Sequence, residues 1–210
     1  MVRLLGGGLV RSVTAHTGNW DAERPTEGAY SALLSFEGGA FASMSYSGYG
    51  HFDSDAWMDG INEMGFAKAS GTHGAARARL RSVADAAQEA ALKAERNYGG
   101  RLWSAPAPDS HPVAHPHFGP VIIGCEHADL RLTPSGVAID GHDAQSFEAV
   151  PLGTVPRQEV IDEMVQAQSG LTTLHNGVWA RASTAVSLAL LQSAQSGVGV
   201  APAHHVAPAA

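Results

Sequence analysis

The sequence predicts an α+β fold: an open, largely antiparallel mixed sheet with helices packed on one face, plus a helical insertion. Three observations lead there. Strand-like runs come early and again in the middle of the chain, with no alternation of strand and helix that would build parallel units. Two apolar runs meet at Gly38-Gly39, which reads as a hairpin. From Pro156 onward the apolar spacing changes from two to between three and four, the mark of amphipathic helices.

Composition sets the outer limits. A chain of 210 residues with 44% hydrophobic and 16% charged residues can bury one sizeable core. A formal net charge of -7 disfavours nucleic acid and anionic membrane as partners. No stretch approaches the ~20 apolar residues of a membrane span, and the N-terminus has no apolar signal region. Cys125 is the single cysteine, so no intrachain disulfide forms, and a cytoplasmic location is expected.

The elements follow in order. Leu9 to Thr17 alternates well enough for a strand, and Gly18 to Gly28 is loop. The hairpin from Ala29 to Gly50 would pair Phe36 with Phe41, Leu34 with Ser43 and Leu33 with Met44 across a two-residue Gly-Gly turn. It would place Tyr30, Ala32, Leu34 and Phe36 on one face. Neither face is strongly polar, so cover is expected on both. Gly74 to Asn97 reads as one helix with a thin stripe of Leu80, Val83, Ala87, Ala91 and Ala94, followed by a proline-rich irregular segment. FGPVIIGCEHADLRL reads as a buried strand, and residues 136–141 and 146–152 as two shorter ones. Two helices close the chain: one from Pro156 with Val160, Ile161, Met164 and Val165 on one side, and one from Asn176 to Gln195 with a face of Trp179, Ala182, Val186, Leu190 and Leu191. The Ala/Pro-rich tail from Val198 reads as frayed.

Four places could carry chemistry. Gly6-Gly7-Gly8 suggests a phosphate loop, but a dinucleotide fingerprint follows a strand and opens a helix, whereas this run precedes a strand. It reads better as a helix end turning into a strand. His51 to Asp59 holds one histidine, three carboxylates and two aromatics, without the spacing of a calcium loop. It is as well explained by ligand contact as by a solvated loop with its own Asx turns. His111, His115 and His117 lie in the proline-rich segment, where a solvated loop is favoured over a metal site. Cys125 and His127 would share a strand face, but a lone cysteine there is more often buried and inert. No complete catalytic constellation is present.

The run LLGGGLVRSVTAHTGNW with TEGAYSALLSFEGGAFASMSYSGYGHFDSD resembles the C-terminal domain of the glucose-fructose oxidoreductase/inositol dehydrogenase (Gfo/Idh/MocA) family. It is closest to the phthalate 4,5-cis-dihydrodiol dehydrogenase branch. FGPVIIGCEHADLRLTPSGV, VPRQEVIDEM and HNGVWARASTAVSLALLQSA carry the resemblance further, the last through an H-x-G-x-W turn before the final helix. The resemblance implies a two-domain enzyme. A Rossmann domain would bind NAD(P) and carry an E-K-P lysine, a D-x-x-x-H segment would supply an acid/base histidine, and the C-terminal domain would contact substrate and form the oligomer interface. None of these cofactor or catalytic motifs occurs in the 210 residues, so no catalytic, cofactor-binding or metal residue carries over. The resemblance assigns substrate contact to His51, Asp53, Ser54 and Asp55, with Trp20 as a further candidate.

The resulting expectation is a substrate-binding and oligomerisation domain at residues 1–200, with a helical insertion at about 74–117 and a disordered tail at 201–210. Alone it would bind no NAD(P) and turn over nothing. Its partners would be a cyclic diol or aromatic acid, a separate Rossmann-domain subunit, and further copies of itself through the sheet face. The alternative is a non-enzymatic dimerisation or small-ligand-binding module of the same descent.

Overall fold

A computed structural model describes residues 1–21, 28–104, 111–155 and 157–204. It contains helices α1 (Val2–Leu5), α2 (Ala75–Leu80), α3 (Ala86–Ala94), α4 (Gln158–Gln168) and α5 (Gly177–Ser196). Strands β1 (Val10–Gly18), β2 (Ala29–Phe36) and β3 (Phe41–Ser47) form one antiparallel sheet. Strands β4 (Val121–Gly124), β5 (Ala128–Thr133), β6 (Gly136–Gly141) and β7 (Gln145–Ala149) form a second. The fold is α+β with antiparallel sheets, as the order of apolar periods requires. The chain divides into two compact units, Met1–Gly50 with Glu159–Ala210, and His51–Gln158.

The first unit holds the main core. Val10, Val13 and Ala15 of β1 and Ala32, Leu34 and Phe36 of β2 are buried on one sheet face, with Ala189 of α5 among them. Burying a side chain such as Leu34 or Phe36 stabilises by roughly 1.5–3 kcal/mol, so this face sets where the other elements sit. The face expected from alternation in β2 is the one observed. The β2–β3 register is not. Leu34 pairs with Ala42, Leu33 with Ser43 and Ala32 with Met44, one residue away from the expected pairing. Phe36 N–H donates to Ala40 O, and within the Gly38-Gly39 pair only Gly39 has positive φ. The connection is therefore a three-residue loop, Glu37 to Gly39, with one left-handed position instead of two.

Asn176 caps α5 by accepting from Trp179 N–H at 3.0 Å. Trp179, Ala182, Ala185, Ala189 and Ser193 are its buried residues, while Leu191 of the expected face is exposed. A period of 3.6 over twenty residues favours small residues here, because the helix approaches β1 closely. Ser193 is 1% exposed. Its hydroxyl accepts from Ala15 N–H at 3.0 Å and donates to Val198 O at 2.7 Å. Val13 and Val200 exchange both backbone bonds at 2.9 Å, and Pro202 is buried. The stretch from Val198 is thus stapled to the sheet and not frayed; residues 205–210 of the expected tail lie outside the described residues. Ser193→Ala orphans a buried strand amide and is expected to cost about 1–3 kcal/mol, read as a lower urea midpoint with an unchanged m-value.

In the second unit the run FGPVIIGCEHADLRL is two strands, not one. Gly124 ends β4, Cys125 N–H donates to Ala128 O at 2.9 Å, and β5 returns antiparallel. Three polar-capable residues between a glycine and a small residue suit a turn better than a strand interior. The expected helix at 74–97 is likewise two. Asp85 starts α3 as an N-cap, accepting from Gln88 N–H at 2.8 Å, while Gln88 reaches back to Ala84 N–H at 3.0 Å. This D-x-x-Q capping box competes with helix continuation through Ser82 to Ala84. Neither α2 nor α3 buries a residue, so the expected apolar stripe has no partner. The helix expected from Pro156 begins at Gln158; Pro156 itself lies outside the described residues.

Candidate functional site

The segment His51 to Asp59 is a short built loop. Asp53 accepts from Asp55 N–H at 3.2 Å and caps a 3-10 turn, Ser54–Met58. Met58 is 2% exposed and anchors the turn from beneath. Asp59 closes it in the left-handed region at φ 56°, a conformation that short polar residues tolerate. His51 and Ser54 are exposed. Phe52 and Trp57 are 60% and 65% exposed with ring centroids 4.9 Å apart, so the loop shows solvent an aromatic pair beside its carboxylates.

Lys68 organises those carboxylates. Its Nζ lies 2.6 Å from Asp53 Oδ2 and 2.8 Å from Asp55 Oδ2. A backbone excursion brings it there: Ile61 bridges Ala67, and Lys68 N–H donates to Gly60 O at 2.8 Å. Asn62 Oδ1 holds that excursion by accepting from Met64 N–H at 2.9 Å and Phe66 N–H at 3.1 Å. Gly65 at its tip sits at φ 83°, and a Cβ there would lie 2.2 Å from Ala114 O. Sequence reasoning missed Lys68. The N-x-x-G turn of Asn62 to Gly65 was the readable sign that the chain doubles back.

The lysine bond, chiefly, holds Asp53 below the ordinary aspartate value, and the two carboxylates raise Lys68. The sign follows for each group. A depressed carboxylate contributes above its ordinary pKa of about 3.9, and that contribution fades as pH falls through its lower folded value. A raised lysine contributes below about 10.4 and fades as pH rises through its higher folded value. The clamp is therefore expected to be intact across neutral pH. Carboxyl NMR titration checks this: the Asp53 midpoint should lie below that of free aspartate and move up in Lys68→Met. An unmoved midpoint would refute the clamp.

Trp20 belongs to the first unit. It is 72% exposed, its ring meets Tyr49 edge-on at 5.1 Å, and its backbone N–H donates to the Tyr49 hydroxyl at 3.3 Å. Tyr49 in turn donates to Asn19 Oδ1 at 3.0 Å. The histidines of the proline-rich segment have structural partners. His115 Nε2 lies 3.0 Å from Val150 O and His117 Nε2 lies 2.9 Å from Ile61 O. Because His117 Nδ1 accepts from Gly119 N–H at 3.1 Å, its Nε2 carries the proton. The expected solvated loop is therefore partly a strut, with Ala114 buried. Among the described residues no three His, Cys, Asp or Glu converge as metal ligands. Cys125 is exposed in the β4–β5 turn, which corrects its expected burial and removes the shared strand face with His127.

The glycine run does not suit a dinucleotide. Gly6, Gly7 and Gly8 N–H donate to Val2 O, Leu4 O and Arg3 O, so all three amides close α1 and none points at a ligand. Gly7 and Gly8 have φ of 89° and 85°, the left-handed exit that a helix end needs. Arg3, which sequence reading passed over, is 6% exposed. Its Nε donates to Gly8 O at 3.2 Å and one terminal nitrogen donates to Trp179 O at 3.1 Å and Ser183 Oγ at 2.8 Å. Its guanidinium lies 3.8 Å from the Trp179 ring centroid.

The H-x-G-x-W turn is built around Glu163 of α4. Its two oxygens accept from His175 N–H at 2.8 Å and pair with His175 Nδ1 at 2.6 Å, which fixes the entry to α5. The backbone N–H bond, first, and the imidazole hold Glu163 below the ordinary glutamate value. Its contribution is present above that ordinary value and lost as pH falls through the folded one.

Antiparallel sheets and a carboxylate-rich loop do not by themselves assign a reaction. Comparison with known proteins is specific on that point. The chain is 39% identical over 193 residues to a 1-carboxy-3-chloro-3,4-dihydroxycyclohexa-1,5-diene dehydrogenase of Comamonas testosteroni, across 91% of this chain and 48% of that protein. A solved structure from Bordetella bronchiseptica RB50, described as a dehydrogenase, matches at 35% identity and TM-score 0.81, over 95% of this chain and 51% of its own. An oxidoreductase of Agrobacterium radiobacter, solved with NAD+, L-tartaric acid and magnesium, shares the fold at 15% identity and TM-score 0.52, over 95% of this chain and 45% of its own. No protein-family model matches the chain. The likeness to Gfo/Idh/MocA-type oxidoreductases therefore holds: this chain is a homologue of a dihydrodiol dehydrogenase over nearly all its own length. It spans about half the length of the relatives it matches. Among the described residues, no helix is long and apolar enough to cross a membrane.

Proposed function

We propose that residues 1–200 form the substrate-binding and oligomerisation part of an NAD(P)-dependent cis-dihydrodiol dehydrogenase, acting in the cytoplasm. The observation that carries this is the 39% identity, across 91% of the chain, to a dehydrogenase whose named substrate is a carboxylated dihydroxycyclohexadiene. In this reading NAD(P) is held by residues outside the 210, on the same or a separate Rossmann-domain polypeptide, and supplies the hydride acceptor. The phthalate branch suggested by sequence makes the substrate a carboxylated cyclic diol.

The loop around Asp53 has the matching chemistry. Two ionised carboxylates share one ammonium, so spare carboxylate lone pairs are available to accept from vicinal hydroxyls. The Phe52–Trp57 pair offers an apolar face for a flat ring. His51 and Ser54 add exposed polar groups to the same loop, and Trp20 is the further candidate in the first unit. The charge of -7 and the acidic loop disfavour nucleic acid as a partner. Self-association through the uncovered face of the first sheet, where Leu33 and Phe41 are exposed, completes the assignment.

Titration calorimetry of the chain with a carboxylated cis-dihydrodiol tests it. Binding is expected, weakened about tenfold or more by Asp53→Asn, the size of one lost charge-assisted bond. Addition of NAD+ to the chain alone should give no heat and no turnover. Diol binding that is indifferent to Asp53 and Asp55 would remove the loop from the site. NAD-dependent oxidation by the 210-residue chain would overturn the division of labour. The alternative, a non-enzymatic dimerisation or small-ligand-binding module of the same descent, is favoured if no Rossmann-domain polypeptide added to the chain gives NAD-dependent oxidation of the diol.

A further inference from the structure

We propose that the helical insertion is a basic arm that docks on the acidic strand ends of the second sheet in another copy of this chain. Charge is unevenly distributed along the chain. Residues 73–103 hold six lysines and arginines against three acids, a net +3. The rest of the chain holds seven against seventeen, a net -10. A random scatter would not concentrate nearly half of the cations in 31 residues of an acidic protein.

The arm's own structure leaves three of these cations, Arg79, Arg81 and Arg96, exposed. Neither α2 nor α3 buries a residue. Glu89 pairs with Lys93 at 2.6 Å and Glu95 with Arg101 at 3.1 Å, which uses two of the three acids. Arg79, Arg81 and Arg96 are exposed and form no ion pair among the described residues. The exposed rings of Tyr98 and Trp103, with centroids 5.1 Å apart, lie in the same segment. Arginine with aromatics is the composition that interface cores favour.

A complementary face exists in the same unit. Asp129 of β5 stands directly opposite Asp140 of β6. Two like charges in register weaken a sheet, and Glu126 adds a third carboxylate at the β4–β5 turn. These residues line a shallow cleft of about 280 Å³ with Cys125, His127 and His142. Arg131 lies two residues along the same strand face, yet it makes no ion pair with Asp129 or Asp140 among the described residues. A guanidinium placed between the aspartates removes their repulsion and is held by two oxygens at once. Among the described residues the arm of the same copy makes no ion pair with these carboxylates, and the arm of a second copy carries the complementary charge. Reciprocal exchange of arms closes as a two-fold dimer.

Sedimentation velocity at about 50 and 500 mM NaCl reads the contact, because screening tightens from more than ten to a few ångströms over that range. Self-association of the unaltered chain is expected to weaken by about tenfold or more between the two salts. Arg79→Glu/Arg81→Glu/Arg96→Glu should abolish the salt-sensitive part, and the corresponding lysine triple should keep most of it. Asp129→Lys/Asp140→Lys should abolish it too, as should Asp129→Asn/Asp140→Asn, which leaves the strand shape unchanged. An equal mixture of the glutamate triple and the lysine pair should regain the salt-sensitive association that neither shows alone. Association with no salt-sensitive part beyond that of the apolar sheet face, an arm-reversed chain that keeps the salt-sensitive part, or a mixture that fails to regain it would each overturn the proposal. So would salt-sensitive binding of a labelled single-stranded oligonucleotide to the arm without self-association. Diol titration of the same variants separates this from the substrate reading, since the arm lies outside the Asp53 loop.

Discussion

Arg3→Met is expected to destabilise the first unit by about 3–5 kcal/mol, among the largest effects of any single substitution in the chain. The side chain is 6% exposed and its three hydrogen bonds reach Gly8 O, Trp179 O and Ser183 Oγ. Gly8 O and Ser183 Oγ each lose a donor when the guanidinium goes, at a cost of about 1–3 kcal/mol for a buried group, while Trp179 O keeps the Ser183 hydroxyl at 3.1 Å. The stacked cation 3.8 Å from the Trp179 centroid contributes roughly another 1–2 kcal/mol. Methionine restores volume, so the loss reports bonding and not a cavity. Burial pulls Arg3 below its ordinary value, and because a guanidinium stays charged in proteins the loss should not vary with pH across the neutral range. Urea unfolding followed by Trp fluorescence measures it. Arg3→Lys should lose more than half as much, since an ammonium cannot span three acceptors and stack. A cost under about 0.5 kcal/mol for Arg3→Met, the level of an ordinary surface change, would show that the network is incidental.

That residue also marks the limit of what the sequence discloses. Arg3 sits 176 positions from Trp179, and nothing local distinguishes a buried arginine from a solvated one in VRLL. Ser193 is hidden for the same reason: its role exists only because β1 passes beside the end of α5. What was legible is what local physics decides. The α5 cap at Asn176, the buried face of β2 and the existence of the β2–β3 hairpin are all set within a few residues of their signals. The hairpin register turned on a single torsion, because a loop with one left-handed glycine instead of two shifts every cross-strand pair by one. The break between α2 and α3 was written in Asp85 and Gln88, but the Ala-rich flanks outweighed it in a propensity reading. At the site, the carboxylates and aromatics of residues 51–59 stood out by composition. Lys68, which pairs with Asp53 and Asp55, could be found only by following the Asn62 turn back on itself.

Gly6→Ala distinguishes the two meanings of the opening glycines, and it is the second large effect. Gly6 has φ -86°, which alanine adopts without strain, so helix propensity alone would make the change neutral or favourable by up to about 1 kcal/mol. The packing argues the reverse. A Cβ at Gly6 would lie 2.3–2.6 Å from three ring atoms of Phe36. Phe36 is 1% exposed in the centre of the sheet core and has no room to retreat. Overpacking of this kind costs about 1–3 kcal/mol, occasionally more, and the upper end is expected because the obstacle is a rigid ring. Phe36→Ala should cost about 3–5 kcal/mol by the cavity it leaves. The decisive measurement is the pair. In a Phe36→Leu background the Gly6→Ala cost should shrink by about 1 kcal/mol or more, since the smaller side chain yields the space the methyl needs. Additive costs would place the strain elsewhere. A phosphate-loop glycine behaves in the opposite way, because its replacement costs anion affinity and leaves stability nearly untouched. With all three amides of Gly6 to Gly8 already bonded within the α1 end, there is no anion affinity to lose. The glycine that looked like a ligand contact is the slot into which Phe36, the largest fully buried side chain among the described residues, fits.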